Sequence, residues 1–172
     1  ETIHPYLDGN GRIGRLLVTL LLEHWKLLTK PLLYLSLFFK QHRQEYYDRL
    51  DAVRRKGDWP GWLRFFLEGV QQTAQQAAGT SGRILKLFEE DRGKIERLGR
   101  RAGSARRLHD LLRRHPITTI AKAAEQLGTS APTVGSAVRA LQQLGIVREI
   151  TGKRRGRIYV YEPYVKILDE GT

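Results

Sequence analysis

The sequence predicts a mainly α-helical chain that closes with a small α+β domain. Three observations carry that prediction. Apolar residues recur at helical spacing from Ile13 to Leu141. Prolines and glycines interrupt the period at intervals that suit helices of ordinary length. Two β-like runs, residues 146–151 and 157–162, come only near the end, bridged by Gly152-Lys-Arg-Arg-Gly156.

In chain order, Ile13, Leu16, Leu17, Leu20, Leu21 and His24 share one face of the first helix, while Val18, Leu22 and Trp25 line another. A helix apolar on several sides normally sits inside a bundle, so partners preceding Glu1 are expected. Pro31 breaks this run, and a short helix is expected after Ser36. Tyr46, Tyr47, Leu50 and Val53 define the next amphipathic stretch, ended by Gly57. Asp58 with Pro60 reads as a helix start, followed by a stripe of Trp62, Phe65, Phe66 and Val70 assigned to the core. Gln71, Gln72, Gln75 and Gln76 continue that helix without an apolar face. Another helix is expected after Ser81, with Ile84, Leu87, Phe88, Ile95 and Leu98 facing inward.

Residues 99–103 read as a linker, because glycines and charges replace the apolar period. Ser104 is the expected cap of the next helix, which buries Leu108, Leu111 and Leu112 and stops at Pro116. Thr118 is the expected cap of a second helix, with Ile120, Ala121, Ala124 and Leu127 inside and Gly128 at its end. A third follows the turn Gly128-Thr129-Ser130, with Pro132 in its first turn, Val134, Val138 and Leu141 in the core, and Gly145 beyond it. Three domains of description result: 1–98, a linker at 99–103, and 104–172.

Hydrophobic content of 41% and charge of 28% suit a soluble globular chain. Without cysteine no disulfide or thiolate zinc site is possible, and the redox compartment is left open. Residues 16–39 are strongly apolar, but Glu23, His24, Lys26, Lys30 and Pro31 interrupt them, so no transmembrane span is expected. No signal peptide begins the chain, and a cytoplasmic location is expected. Residues 1–82 carry 11 Lys/Arg against 8 Asp/Glu, whereas residues 83–172 carry 19 against 10. The basic excess belongs to the back half, where it serves either a solvated surface or a polyanion.

The most informative stretch is His4-Pro-Tyr-Leu-Asp8-Gly-Asn10-Gly-Arg12-Ile-Gly-Arg15. Gly9 and Gly11 let the backbone turn left-handed and approach a ligand closely. The first N–H groups of the following helix, with the positive end of its dipole, make an anion site. Arg12 and Arg15 share a face in the first turn, where they oppose the dipole by about 0.3–1 kcal/mol each. A polyphosphate converts that cost into charge-assisted hydrogen bonds. Asp8 suits either Mg²⁺, which takes one or two carboxylates plus substrate phosphates, or a helix cap. His4 has the one side chain whose ordinary pKa lies near neutrality, as a general base requires.

This string resembles the signature of Fic proteins, His-x-Phe-x-Asp/Glu-Gly-Asn-Gly-Arg-x-x-Arg, with Tyr6 in place of the usual Phe. The resemblance continues through Leu33-Tyr34-Leu35-Ser36, Glu45-Tyr46-Tyr47, Gly57-Asp58-Trp59-Pro60-Gly61-Trp62 and Phe65-Phe66-Leu67, covering about residues 1–98. It implies transfer of AMP from ATP to a Ser, Thr or Tyr hydroxyl of a target protein. His4 resembles the base and Asp8 the Mg²⁺ ligand. Gly9, Asn10 and Gly11 resemble the phosphate anion hole, and Arg12 and Arg15 the polyphosphate arginines. The helices that come before the motif in that family, the target-lining hairpin and an inhibitory helix are not in this chain. The expectation is therefore the C-terminal part of a longer protein, weakly active or inactive alone, with a homodimer through the uncovered first helix as its supporting sign.

Residues 104–165 resemble a winged helix-turn-helix, on pattern rather than on a strict signature. In that arrangement the third helix enters the major groove, where Thr133, Ser136 and Arg139, with Gln143 further along, would be available to read bases or phosphates. Lys153, Arg154, Arg155 and Arg157 would track phosphates through the wing. Double-stranded DNA and a protein partner are both candidate ligands. Two functions follow: an AMP-transferring enzyme with a recruiting or regulatory winged helix, or a DNA-binding regulator with a dormant Fic module.

Overall fold

The computed structural model describes residues 5–27 and 34–170, so His4 lies outside the described residues. Among them are eight α-helices and one three-stranded antiparallel sheet, the mainly α architecture with a small α+β end that was expected. The chain divides into two compact units, one up to Gly79 and one from Thr80 onward.

The first unit holds α1 (Asn10–His24), α2 (Leu35–Gln41), α3 (Arg43–Lys56) and the front of α4 (Trp59–Glu96). Its core is aromatic. Leu35, Phe38, Phe39, Tyr46 and Phe65 are buried, with Val18, Leu22, Leu50, Trp62, Phe66 and Val70 packed against them. Ring centroids lie 5.2 Å apart for Phe38–Phe65 and 5.0 Å for Phe39–Tyr46. Aromatic pairs at such separations add about 0.5–1.5 kcal/mol beyond their burial. Gly69 makes room for Phe38, since a Cβ there would fall 2.6 Å from the ring. Gly69→Ala is expected to lower stability by about 1–3 kcal/mol through overpacking. Urea unfolding reads this directly, and an unchanged midpoint would show that Phe38 repacks at no cost.

Of the two apolar faces of α1, the one bearing Val18 and Leu22 reaches this core. The other does not. Ile13, Leu16, Leu17 and Leu20 remain 42–58% exposed, and α1 contains no buried residue. Gly57 ends α3 with φ +67°, as its position predicted. Asp58 accepts the Gly61 N–H at 3.0 Å and so caps α4. That helix runs unbroken for 38 residues where two were expected. Gly79 and Gly82 cost about 1 kcal/mol each relative to alanine, but neither lacks an N–H or clashes as proline would. The helical period therefore passes through them.

In the second unit, residues 99–103 form the 3₁₀ turn Gly99–Arg101 and the start of α5 (Ala102–Arg114). Ser104 lies inside that helix, its hydroxyl 3.4 Å from the Arg101 carbonyl, and does not cap it. The cap of α6 (Ile120–Leu127) is Thr119 rather than Thr118: its Oγ1 accepts the Lys122 N–H at 3.2 Å. Thr118 is instead buried in β1 (Ile117–Thr119), a strand too short to announce itself by alternation. Ala123 is buried and Ala121 exposed, the reverse of the expected pattern. Ser130 caps α7 (Ala131–Gln143), whose Val134, Val138 and Leu141 are buried as expected. The two β runs shorten to β2 (Arg148–Glu149) and β3 (Ile158–Val160), and α8 (Glu162–Glu170) takes up the end of the second.

The sheet order is β1-β3-β2, with Thr118 opposite Tyr159 and Arg148 opposite Val160. Ile95, Leu108, Leu112, Val134, Leu141, Ile146 and Tyr161 form the heart of the second core. No helix among the described residues is long and apolar enough to cross a membrane.

Candidate functional site

The loop ahead of α1 is shaped by one side chain. The Asn10 amide brackets the Tyr6 backbone: Oδ1 accepts the Tyr6 N–H at 3.0 Å, and Nδ2 donates to the Tyr6 carbonyl at 2.7 Å. Gly9 occupies the N-cap position with φ +81°, a conformation that other residues enter only with strain. No side chain caps the helix, and the first intrahelical bond runs from Ile13 N–H to Gly9 O at 3.0 Å. Asn10 thus serves the loop's shape through its side chain and offers its backbone at the helix start. The helix begins with its donors presented rather than capped, which is the condition for an anion site.

Asp8 does not cap α1. Its Oδ1 accepts the adjacent Gly9 N–H at 2.6 Å and its Oδ2 meets Arg12 Nη2 at 3.2 Å. Both partners of that ion pair are largely exposed, so the pair contributes little, about 0–1 kcal/mol. A polyphosphate can displace it without large cost. Arg15 is half-buried on the same side of the helix. No cluster of three or more His, Cys, Asp or Glu side chains able to hold a metal occurs among the described residues. A magnesium ion that arrives on phosphates needs only one or two protein carboxylates. The single exposed carboxylate of Asp8 fits that coordination.

On the winged-helix side, α6 ends at Gly128, which takes φ +57°, and α7 follows after the turn. Ser136, Arg139 and Gln143 are exposed along α7, as a reading face requires. Thr133 is half-buried, and its Oγ1 lies 2.8 Å from the capping Ser130 Oγ, so its hydroxyl is engaged within the helix cap. The wing has its own fastening. Glu149 accepts from the Thr151 hydroxyl, the Thr151 N–H at 2.7 Å and the Gly152 N–H at 3.0 Å. These bonds, that of the hydroxyl foremost, hold its carboxyl below the usual carboxylate range. Gly152 and Gly156, at φ +63° and +65°, bracket Lys153, Arg154 and Arg155. Arg157 Nε donates to the Lys153 carbonyl at 2.7 Å and closes the loop. Three cations are therefore presented, and the fourth also holds the wing together.

One polar cluster escaped the sequence reading. Tyr161 donates its hydroxyl to Asp91 Oδ2 at 2.7 Å, and His109 Nε2 lies 3.1 Å from the same hydroxyl oxygen. Asp91, His109 and Tyr161 are at most 2% exposed. Lys94 Nζ reaches the second Asp91 oxygen at 2.6 Å. The network ties α4 and α5 to the residue between β3 and α8. Burial, ahead of the opposing pull of Asp91 and Asp110, lowers the His109 pKa. The unfolded chain takes up this proton near pH 6.5, the folded one only at lower pH. His109 thus contributes stability that is complete above pH 6.5 and is lost as pH falls through the folded value. His109→Gln, which cannot titrate, is expected to reduce the loss of stability between pH 7.5 and 5 in urea unfolding. An identical pH dependence in both proteins would remove His109 as its source.

Comparison with known proteins accords with both ends of the chain. Residues 1–22 match the model of the Fic/DOC family, and residues 103–148 match that of the winged helix-turn-helix DNA-binding family. The chain is 39% identical over 71 residues to the protein adenylyltransferase Fic of Aedes aegypti and, equally, to that of Culex quinquefasciatus. The match covers 41% of this chain but spans only 13% of the length of either relative.

Proposed function

We propose that residues 1–98 carry the motif loop and following helices of a Fic-type protein adenylyltransferase, and that residues 104–172 form a winged helix that brings it to DNA or to a partner. In this reading AMP passes from ATP to a Ser, Thr or Tyr hydroxyl of a target protein. His4 takes the hydroxyl proton, the freed oxygen attacks the α-phosphorus, and the bond to the β-phosphate oxygen breaks to release pyrophosphate. The reaction needs positioning and neutralisation of charge more than covalent help. The backbone at Gly9, Asn10 and Gly11 receives phosphate oxygens, and Arg12 and Arg15 clamp the polyphosphate. Asp8 would hold magnesium, which supplies further neutralisation of the phosphates when bound.

The observation that carries the reading is the helix start itself. Gly9 turns left-handed, Asn10 pins the loop, and α1 opens uncapped beside two arginines. Folding alone gives no reason to leave those donors unpaired beside like charge. The second reading, a DNA-binding regulator with a dormant Fic module, is favoured by the presented wing cations and the exposed face of α7. Transfer from labelled ATP to target proteins by the full-length parent protein, set beside duplex DNA binding, separates the two. Transfer supports the first, and duplex binding without nucleotide uptake or transfer supports the second. Calorimetry showing no Mg-ATP binding would overturn the nucleotide site.

A further inference from the structure

The second unit contains a cavity of about 180 Å³ that neither candidate function uses. Its walls come from the end of α4, through Arg92, Ile95 and Glu96, and from α5, through Arg106, His109, Asp110 and Arg113. We propose that it is a binding site for a small organic monocarboxylate, whose carboxylate pairs with Arg106 and whose apolar body rests against Ala102 and Gly103. This assignment is independent of both the nucleotide site and the DNA-reading surface.

The charges of the lining select a monoanion. Arg92 is already paired with Glu96 at 3.2 Å. Arg113 lies 3.5 Å from Asp110 and stacks its guanidinium 4.8 Å from the Phe88 ring centroid. Arg106 has no ion pair or hydrogen bond among the described residues, so the lining carries one uncompensated guanidinium. A planar guanidinium engages a carboxylate through two parallel hydrogen bonds, which a lysine cannot reproduce. His109 stays neutral in its buried setting and adds no charge.

Size and polarity narrow the class further. Ala102 and Gly103 give the lining small, nonpolar surface, while Ile95, only 1% exposed, offers next to none. Sites of this kind combine apolar lining with a few placed polar groups. The volume is small for a nucleotide but sufficient for a ring or short chain bearing one carboxylate. Inorganic phosphate lacks the apolar body and, near neutral pH, carries more charge than one free guanidinium balances.

Benzoate is a suitable probe. In ¹H–¹⁵N spectra of the whole chain, titrated at constant ionic strength, saturable shifts are expected at Arg106 and His109. Arg106→Gln should weaken binding by at least about tenfold, and Arg106→Lys should restore little, because the paired geometry is lost. Arg107→Gln, on the same helix but outside the cavity lining, should bind as the parent does. Absence of saturation, equal binding by Arg106→Gln, or phosphate binding as tightly as benzoate would each overturn the assignment.

Discussion

In the longer protein of which this chain is expected to be the C-terminal part, replacing His4 by alanine is expected to abolish measurable AMP transfer while leaving Mg-ATP binding largely intact. A positioned general base contributes about 10²–10⁴-fold to such a reaction, and nothing else in the motif offers a side chain that accepts a proton near neutrality. In the proposed reading the nucleotide, by contrast, would be held at the helix start. Arg12→Ala should therefore show the opposite signature, a loss of ATP affinity, since it removes a phosphate partner. It would also release Asp8 from its 3.2 Å contact. Transfer from labelled ATP and calorimetry on the same preparations distinguish these outcomes. Undiminished transfer by His4→Ala would remove the imidazole from the chemistry, whereas loss of ATP binding by that variant would make it a binding residue.

The contrast between these residues tracks what a sequence can convey. Gly9 was legible because only a glycine tolerates the left-handed cap without strain, and the order of Asp8, Arg12 and Arg15 places charge on one helix end. The clamp of Asn10 on Tyr6 was not legible, because it depends on how the loop curls back over four residues. In α1, periodicity identified two apolar faces but could not say which one meets α2 and α4. Asp91 was hidden more thoroughly. It sits in the run Glu89-Glu90-Asp91-Arg92, which reads as solvated surface, and its partner Tyr161 lies 70 residues away. The cap at Thr119 was misplaced by one residue because Thr118 offers the same hydroxyl, and only its burial within the unseen strand β1 tells the two apart. Pro163 signals the start of α8, yet Tyr159, Val160 and Tyr161 in front of it read as continuous strand.

Replacing Lys153, Arg154 and Arg155 together by alanine is expected to cost several hundred-fold in affinity for duplex DNA at about 0.1 M salt. Each phosphate contact releases counterions and contributes a slope near −0.9 to log K against log salt. Three lost contacts should therefore flatten the slope by about 2.7. The variant should retain its fold, because the wing is fastened by other groups. Glu149 holds the Thr151 and Gly152 N–H groups, the two glycines supply the turns, and Arg157 holds the Lys153 carbonyl. Arg157→Ala is a different experiment, since it removes that fastening along with a charge. Ser136→Ala and Arg139→Ala should instead alter discrimination between sequences, because in a DNA-bound winged helix α7 would be the element that meets base edges. Fluorescence anisotropy with a duplex across a salt series measures the wing term directly. An unchanged slope would mean that phosphates are engaged elsewhere, and no binding even at low salt would assign this surface to a protein partner.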